Sequence, residues 1–114
     1  MNFNEYVKLD AMAMAGLVQR GEVSALELLE LAMARAEAVN GTLNAIIHPL
    51  YDHARKQIEA GLGGPLAGVP MLVKDLFQEM AGAPHHMGNA ALKARNVISP
   101  HDSTLVQRWK AAGL

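Results

Sequence analysis

Lys74 is the residue of this sequence that is best placed for acid–base chemistry. It directly follows Val69–Val73, a run of apolar residues that favours a strand covered on both faces. Ligands of α/β sheets gather at the carboxyl ends of such strands, where a lysine loses part of its hydration. Desolvation favours the neutral amine, which can act as a base. From spacing alone, a solvated lysine at a strand end is the more ordinary interpretation. Asp75 need not neutralise Lys74, because successive strand side chains point to opposite faces.

The other candidates for chemistry have simpler structural interpretations. Adjacent histidines in an extended segment, such as His85 and His86, point apart and rarely bind one metal ion together. Of the three serines, Ser24 and Ser103 are candidate helix caps and Ser99 precedes a proline. None lies in the Gly-x-Ser-x-Gly pattern of a nucleophile elbow. The sequence therefore predicts no metal site and no cofactor, and it offers no serine nucleophile.

Composition narrows the class of protein. The 114 residues carry a net charge of -1 without any Lys/Arg run, so nucleic acid is not an expected partner. The absence of cysteine excludes disulfides, thiolate zinc sites and a cysteine nucleophile. The N-terminal residues lack the pattern of a signal peptide, and no apolar stretch approaches the ~20 residues of a membrane span. We therefore expect a cytoplasmic protein that has no membrane partner.

The elements that must position these residues are mainly helices. Asp10 caps a predicted helix over 11–20, and Ser24 and Glu27 form a capping box for one that ends at Asn40-Gly41. In this second helix, Leu26, Leu29, Met33 and Ala36 should share the buried face, and the glutamates should be solvated. Further helices are expected over 50–60 and 104–112, and strands over Leu43–His48 and Val69–Val73. The Gly-rich stretch 61–68 lacks the Gly-Lys-Ser/Thr ending of a phosphate loop.

The stretch Gly64-Pro-Leu-Ala-Gly-Val-Pro-Met-Leu-Val-Lys74-Asp75-Leu-Phe77 closely resembles the amidase signature family. The resemblance continues through Ala81-Gly-Ala-Pro84, Asp102-Ser103 and the final helix. Upstream, it includes Leu17–Ser24 and Asn44-Ala45. The opening helices and the region around His48 are similar to those of members that act on cyclic amides of the 6-aminohexanoate cyclic dimer kind.

The resemblance implies a fold and a mechanism. The fold is α/β, with residues 1–114 providing N-terminal helices and the first strands of a mixed sheet with flanking helices, as the N-terminal part of a single domain. The mechanism is amide hydrolysis by a Ser–cis-Ser–Lys triad in which Lys74 is the catalytic lysine. Both family serines belong to later Gly/Ser-rich segments that this sequence lacks, so the chain by itself should be inactive. Lys93 and Lys110 lie outside the motif and are expected to face water.

Two departures and two alternatives qualify the resemblance. His85-His86 replaces the small residues usual in the family, and Asn89 replaces a frequent serine, which leaves the amide substrate open. The expected partner is a small-molecule amide, with a homo-oligomer as a further expectation. The alternatives are a non-catalytic truncated interaction module and the glutamine-hydrolysing subunit of a tRNA-dependent amidotransferase. The reading frame beyond codon 114 and the presence of partner subunits would discriminate between them.

Overall fold

The computed structural model describes every residue from Met1 to Leu114. The backbone divides into two compact units, which are unit 1 (Met1–Pro70 with Ala112–Leu114) and unit 2 (Met71–Ala111). No helix is long and apolar enough to cross a membrane. The chain forms six helices and no β-strand: α1 (Phe3–Tyr6), α2 (Ala11–Gln19), α3 (Ala25–Leu43), α4 (Tyr51–Ala60), α5 (Ala90–Ala94) and α6 (Thr104–Ala112).

The predicted helix starts in unit 1 are confirmed by their caps. The Asp10 side chain accepts a hydrogen bond from Ala13 N (2.8 Å) at the start of α2. At the start of α3, Ser24 Oγ accepts from Glu27 N (3.1 Å), and Glu27 Oε2 accepts from Ser24 N (2.8 Å). Such caps satisfy backbone N–H groups that have no partner inside the helix, and each contributes about 1 kcal/mol.

Helix α3 is longer than the sequence predicts. The expected stop at Asn40-Gly41 is wrong, because the helix continues to Leu43 and ends at Asn44, whose φ of 48° is left-handed. The Asn40 side chain instead binds the chain beyond the helix, with Ile46 N donating to Oδ1 and Nδ2 donating to Ile46 O, both at 2.9 Å. The strand predicted over Leu43–His48 does not form, because Leu43 belongs to α3 and these two bonds hold the residues after it in an irregular conformation.

The remaining helix predictions are confirmed, and the structure adds two helices, α1 and α5. Helix α4 begins one residue later than expected and ends at Gly61, and α6 begins at Thr104 as expected. Helix α5 was not predicted from the sequence. It begins at Asn89, whose side chain accepts hydrogen bonds from Ala91 N (2.8 Å) and Leu92 N (3.2 Å).

The core of unit 1 is formed by α2, α3 and the segment that follows α4. Its buried members are apolar: Met14, Ala15, Val23, Leu28 and Val69. On α3 the buried side chains include Leu28, Leu29 and Met33, whereas Leu26 is 44% exposed, so the predicted buried face is wrong at Leu26. Leu28 occupies the inner position instead and is fully buried. Glu27, Glu30 and Glu37 are exposed, as predicted.

The Gly-rich turn at 61–68 packs against the C-terminal residues inside unit 1. Leu66 N donates to Ala112 O (2.7 Å), and Gly68 N donates to Gly113 O (3.0 Å). Gly113 has a φ of +92°, and a Cβ there would lie 2.5 Å from Ala67 Cα and 2.7 Å from Gly63 O. Only glycine fits this approach, so Gly113 does more than end α6.

The predicted strand at Val69–Val73 is absent. Val69 is buried in the core of unit 1, but Met71 and Leu72 of unit 2 are exposed, Leu72 by 68%. A strand needs a neighbour that pairs with its backbone N–H and C=O groups, and no segment of this chain pairs with this one. The single β-bridge lies elsewhere in unit 2, between Pro84 and Ile98. The α/β class and the mixed sheet are therefore not seen in these 114 residues, which are mostly helical.

Candidate active site

The predicted catalytic residue, Lys74, lies in an irregular turn of unit 2 rather than at the end of a strand. Its side chain is exposed, and its backbone N–H donates to Gln78 Oε1 (2.9 Å). Within the same turn Phe77 has a left-handed φ of 57° and is 73% exposed. The backbone at Lys74 is thus fixed by a hydrogen bond, while its amine remains open to a substrate or to further polypeptide.

Asp75 turns inward where Lys74 turns outward. Its side chain is only 12% exposed. Its Oδ1 accepts hydrogen bonds from His86 N (2.8 Å) and from Met87 N (3.3 Å). Successive N–H groups that converge on one carboxylate form a small anion-binding concavity, and Met87 adopts a left-handed φ of 51° in it. The alternation along a strand that separated Asp75 from Lys74 in the sequence analysis does not apply here, because no strand forms at these residues.

His85 lies between two acidic side chains of the same turn. Its Nδ1 is 3.3 Å from Asp75 Oδ1, and its Nε2 is 3.9 Å from Glu79 Oε1. The His85 side chain is 10% exposed, and its Nε2 is buried without a hydrogen-bond partner. Because a carboxylate only accepts hydrogen bonds, Asp75 can bind His85 Nδ1 when that nitrogen carries a proton. The imidazole therefore spans from the beginning of the 75–79 segment to its end.

A second carboxylate anchors the end of this turn to α6. Asp102 Oδ1 accepts from Ala81 N (2.8 Å), and Asp102 Oδ2 pairs with Lys110 Nζ (2.7 Å). Ser103 N donates to Glu79 O (2.9 Å) beside it. The prediction that Lys110 faces water is wrong, because its ammonium is held by Asp102 and only 30% of its side chain is exposed.

The three serines are all engaged in local structure. Ser24 caps α3, and Ser103 Oγ accepts from Val106 N (3.4 Å) near the start of α6. Ser99 is 4% exposed, and its Oγ donates to His101 O (2.8 Å). The partners of Ser24 and Ser103 agree with their predicted roles as helix caps.

Both places where the sequence departs from the family pattern have clear roles in unit 2. His85 and His86 are buried at 8% and 7%, so the pair packs inside the unit. Asn89 caps α5, and both asparagine and serine are favoured at that position. These residues stand out in the sequence, but the contact of His85 with Asp75 and Glu79 does not. Such a contact joins side chains that are distant along the chain and that no periodic pattern links.

Comparison with known proteins settles the family. The sequence matches the family model described as Amidase over residues 27–114. The chain belongs to the amidase family. It is 43% identical over 104 residues to the 6-aminohexanoate-cyclic-dimer hydrolase of Pseudomonas sp. (strain NK87), a match that covers 91% of this chain and 21% of that amidase. It is 40% identical over 110 residues to one subunit of the glutamyl-tRNA(Gln) amidotransferase of Deinococcus radiodurans, covering 90% of this chain and 22% of that protein.

Solved amidase structures share the fold of this segment. The structure of 6-aminohexanoate cyclic dimer hydrolase complexed with substrate matches with a TM-score of 0.87 at 43% identity, over 92% of this chain and 22% of that one. A second structure of a 6-aminohexanoate cyclic dimer hydrolase matches with a TM-score of 0.89 at 40% identity. The chain spans about a fifth of the length of the curated relatives that it matches, at 21% and 22%.

Proposed function

We propose that residues 1–114 form the N-terminal part of a single amidase domain, and that the complete gene product hydrolyses a C–N amide bond. The complete gene product here means the polypeptide encoded by the whole open reading frame that contains these residues. The observation that carries the proposal is the 43% identity to a hydrolase of a cyclic amide. The Lys74 motif that the sequence shares with the amidase signature supports the same function.

Lys74 is the base of the proposed Ser–cis-Ser–Lys mechanism. One serine hydroxyl attacks the amide carbonyl, the second serine relays the proton, and the lysine amine accepts it and later returns it to the leaving amine. Backbone N–H groups hold the oxyanion. The turn supports this role in one respect, since it fixes the Lys74 backbone and leaves the amine exposed. Both serines, the oxyanion loop and the remaining strands of a mixed sheet would come from other parts of the gene product.

The apolar neighbours of Lys74 would contribute to the desolvation that a lysine base needs once further polypeptide covers them. Met71, Leu72 and Phe77 are exposed by 39%, 68% and 73% in this chain. Polypeptide packed over these side chains would remove water from the lysine and favour its neutral form. The proposal therefore places this segment inside the complete domain, with a small-molecule amide as substrate. The proposal also includes a cytoplasmic location and the formation of a homo-oligomer.

The assay uses the purified complete gene product with three amides: the cyclic dimer of 6-aminohexanoate, glutamine and a simple aryl amide. Release of an amine or of ammonia from any of them supports the proposal. Hydrolysis of the cyclic dimer would assign the substrate class. No turnover of any amide, from a folded protein whose reading frame encodes the Gly/Ser-rich segment, would contradict the proposal.

A second candidate is the glutamine-hydrolysing subunit of a tRNA-dependent amidotransferase. It is favoured by 36% identity over 107 residues to one subunit of the glutamyl-tRNA(Gln) amidotransferase of Thioalkalivibrio sulfidiphilus. Glutamine hydrolysis that requires co-purifying subunits would support it, whereas hydrolysis of other amides by the isolated protein would support a free amidase. A stop codon directly after codon 114 would instead favour a non-catalytic interaction module.

A further inference from the structure

The exposed Lys74 amine is carried by a turn whose buried side is held by one imidazole. His85 Nδ1 is 3.3 Å from Asp75 Oδ1 and its Nε2 is 3.9 Å from Glu79 Oε1, so a single ring lies between the two ends of the 75–79 segment, without a hydrogen bond to Glu79. Asp75 is the next residue after Lys74, and Glu79 follows directly after Gln78, which binds the Lys74 backbone. A movement of the ring would therefore reach Lys74 through its neighbour Asp75 and through Gln78, which is bonded to the Lys74 backbone.

The contact between His85 and Asp75 is buried. The side chains of His85 and Asp75 are 10% and 12% exposed, and Asp75 Oδ1 also accepts from His86 N and Met87 N. A buried carboxylate is costly unless its hydrogen bonds are made, so these two donors stabilise Asp75 in this position. The charged groups that face the ring are Asp75 at Nδ1 and Glu79 at Nε2.

We propose that His85 is a positioning residue for Lys74, because its imidazole clamps the 75–79 turn between Asp75 and Glu79. This inference rests on the proposed function, in which Lys74 must meet a proton carrier at a fixed distance. Misplacement of a reacting group by about 1 Å costs on the order of 100-fold in rate. Loss of the clamp should therefore lower kcat by about 10- to 100-fold while substrate binding, and hence KM, changes little.

The test compares two substitutions at His85 in the complete gene product. His85→Phe fills the same space without an N–H donor. His85→Asn places an amide N–H where Nδ1 lies and can still donate to Asp75. His101→Phe is the matched control, since His101 is exposed in the same unit. We expect a large fall in kcat for His85→Phe, recovery of most of it in His85→Asn, and no change for His101→Phe.

Hydrogen–deuterium exchange provides a readout that does not depend on turnover. The N–H groups of His86 and Met87 donate to Asp75, and that of Lys74 donates to Gln78, so they should exchange faster in His85→Phe than in wild type. The inference is overturned if exchange is unchanged, or if exchange rises while kcat stays normal. It is also overturned if His85→Asn is as slow as His85→Phe, which would indicate a packing role alone. Wild-type protein that hydrolyses no amide would overturn the proposed function, and the positioning role with it. Normal wild-type turnover with a normal His85→Phe would overturn only the inference.

Discussion

Gly113→Ala should destabilise the segment that leads into the Lys74 turn. Gly113 has a φ of +92°, and an added Cβ would lie 2.5 Å from Ala67 Cα, 2.7 Å from Gly63 O and 2.8 Å from Ala67 N. All three atoms belong to the backbone, so no side chain can rotate away to make room. The turn at 63–67 must move, and with it the hydrogen bonds from Leu66 to Ala112 and from Gly68 to Gly113.

The loss in the free energy of unfolding caused by Gly113→Ala has two separable parts, which are backbone strain and lost hydrogen bonds. A left-handed φ costs about 1 kcal/mol or slightly more for alanine. Two lost backbone hydrogen bonds add about 1 kcal/mol each. We therefore expect a loss of about 3 kcal/mol in the free energy of unfolding, and more if Leu66 leaves the core. Gly61→Ala is the control, because Gly61 has a nearly equal φ of +91° but nothing within 4 Å of the added Cβ. It should lose less than Gly113→Ala, because only the backbone strain remains there.

Urea unfolding of the complete gene product, followed by circular dichroism, measures both variants against wild type. The loss in the free energy of unfolding for Gly113→Ala minus that for Gly61→Ala measures the cost of the close backbone contact, with the backbone strain subtracted. Equal losses in the two variants would show that the C-terminal residues do not pack closely against the 63–67 turn.

Three further predictions concern the cap, the exposed apolar turn and the anchor on α6. Hydrogen bonds from the Ser24 backbone N–H and hydroxyl hold the pKa of Glu27 below its ordinary value of 4.5. Ionised Glu27 therefore stabilises the fold fully above pH 4.5, and this contribution is lost as the pH falls through the lowered pKa. In thermal melts over a pH series, Glu27→Gln should consequently lose less stability at acidic pH than wild type does. Glu37→Gln should leave that dependence unchanged. The 114-residue chain alone should hydrolyse no amide and should associate in size-exclusion chromatography. Leu72→Ser should reduce the association more than Met12→Ser, which removes an exposed side chain (66%) outside the Lys74 turn. A clean wild-type monomer with a sharp melt would contradict this. Asp102→Asn breaks a half-buried ion pair with Lys110 and should lower the free energy of unfolding by about 1–3 kcal/mol in urea, whereas no loss would remove its role as an anchor.

The helices could be predicted where their signals are local. Asp10, Ser24 and Glu27 identify helix starts because each cap joins residues within one turn, and Gly61 marks an end for the same reason. The end of α3 was missed because Asn40 binds Ile46, a contact formed only when the chain folds back.

The strands failed for a different physical reason. An apolar run such as Val69–Val73 indicates side chains that need to be buried. A strand also requires a partner strand, and the sequence of one segment does not show whether such a partner is present. The candidate site was also predicted only in part. Lys74 was found through its motif, whereas the clamp formed by His85 needs distances between Asp75, Glu79 and the ring that only the folded chain provides.

The most direct test of the central claim is kcat of the complete gene product for Lys74→Ala and Lys74→Arg. Lys93→Arg is the control because Lys93 is exposed on α5, whereas Lys110 is unsuitable because it pairs with Asp102. Both Lys74 variants should lose several powers of ten in kcat while remaining folded by circular dichroism, because a guanidinium stays protonated and cannot accept a proton. Lys93→Arg should match wild type. Near-normal turnover by Lys74→Arg would show that only a positive charge is needed at this position, and it would contradict the assignment of Lys74 as the base.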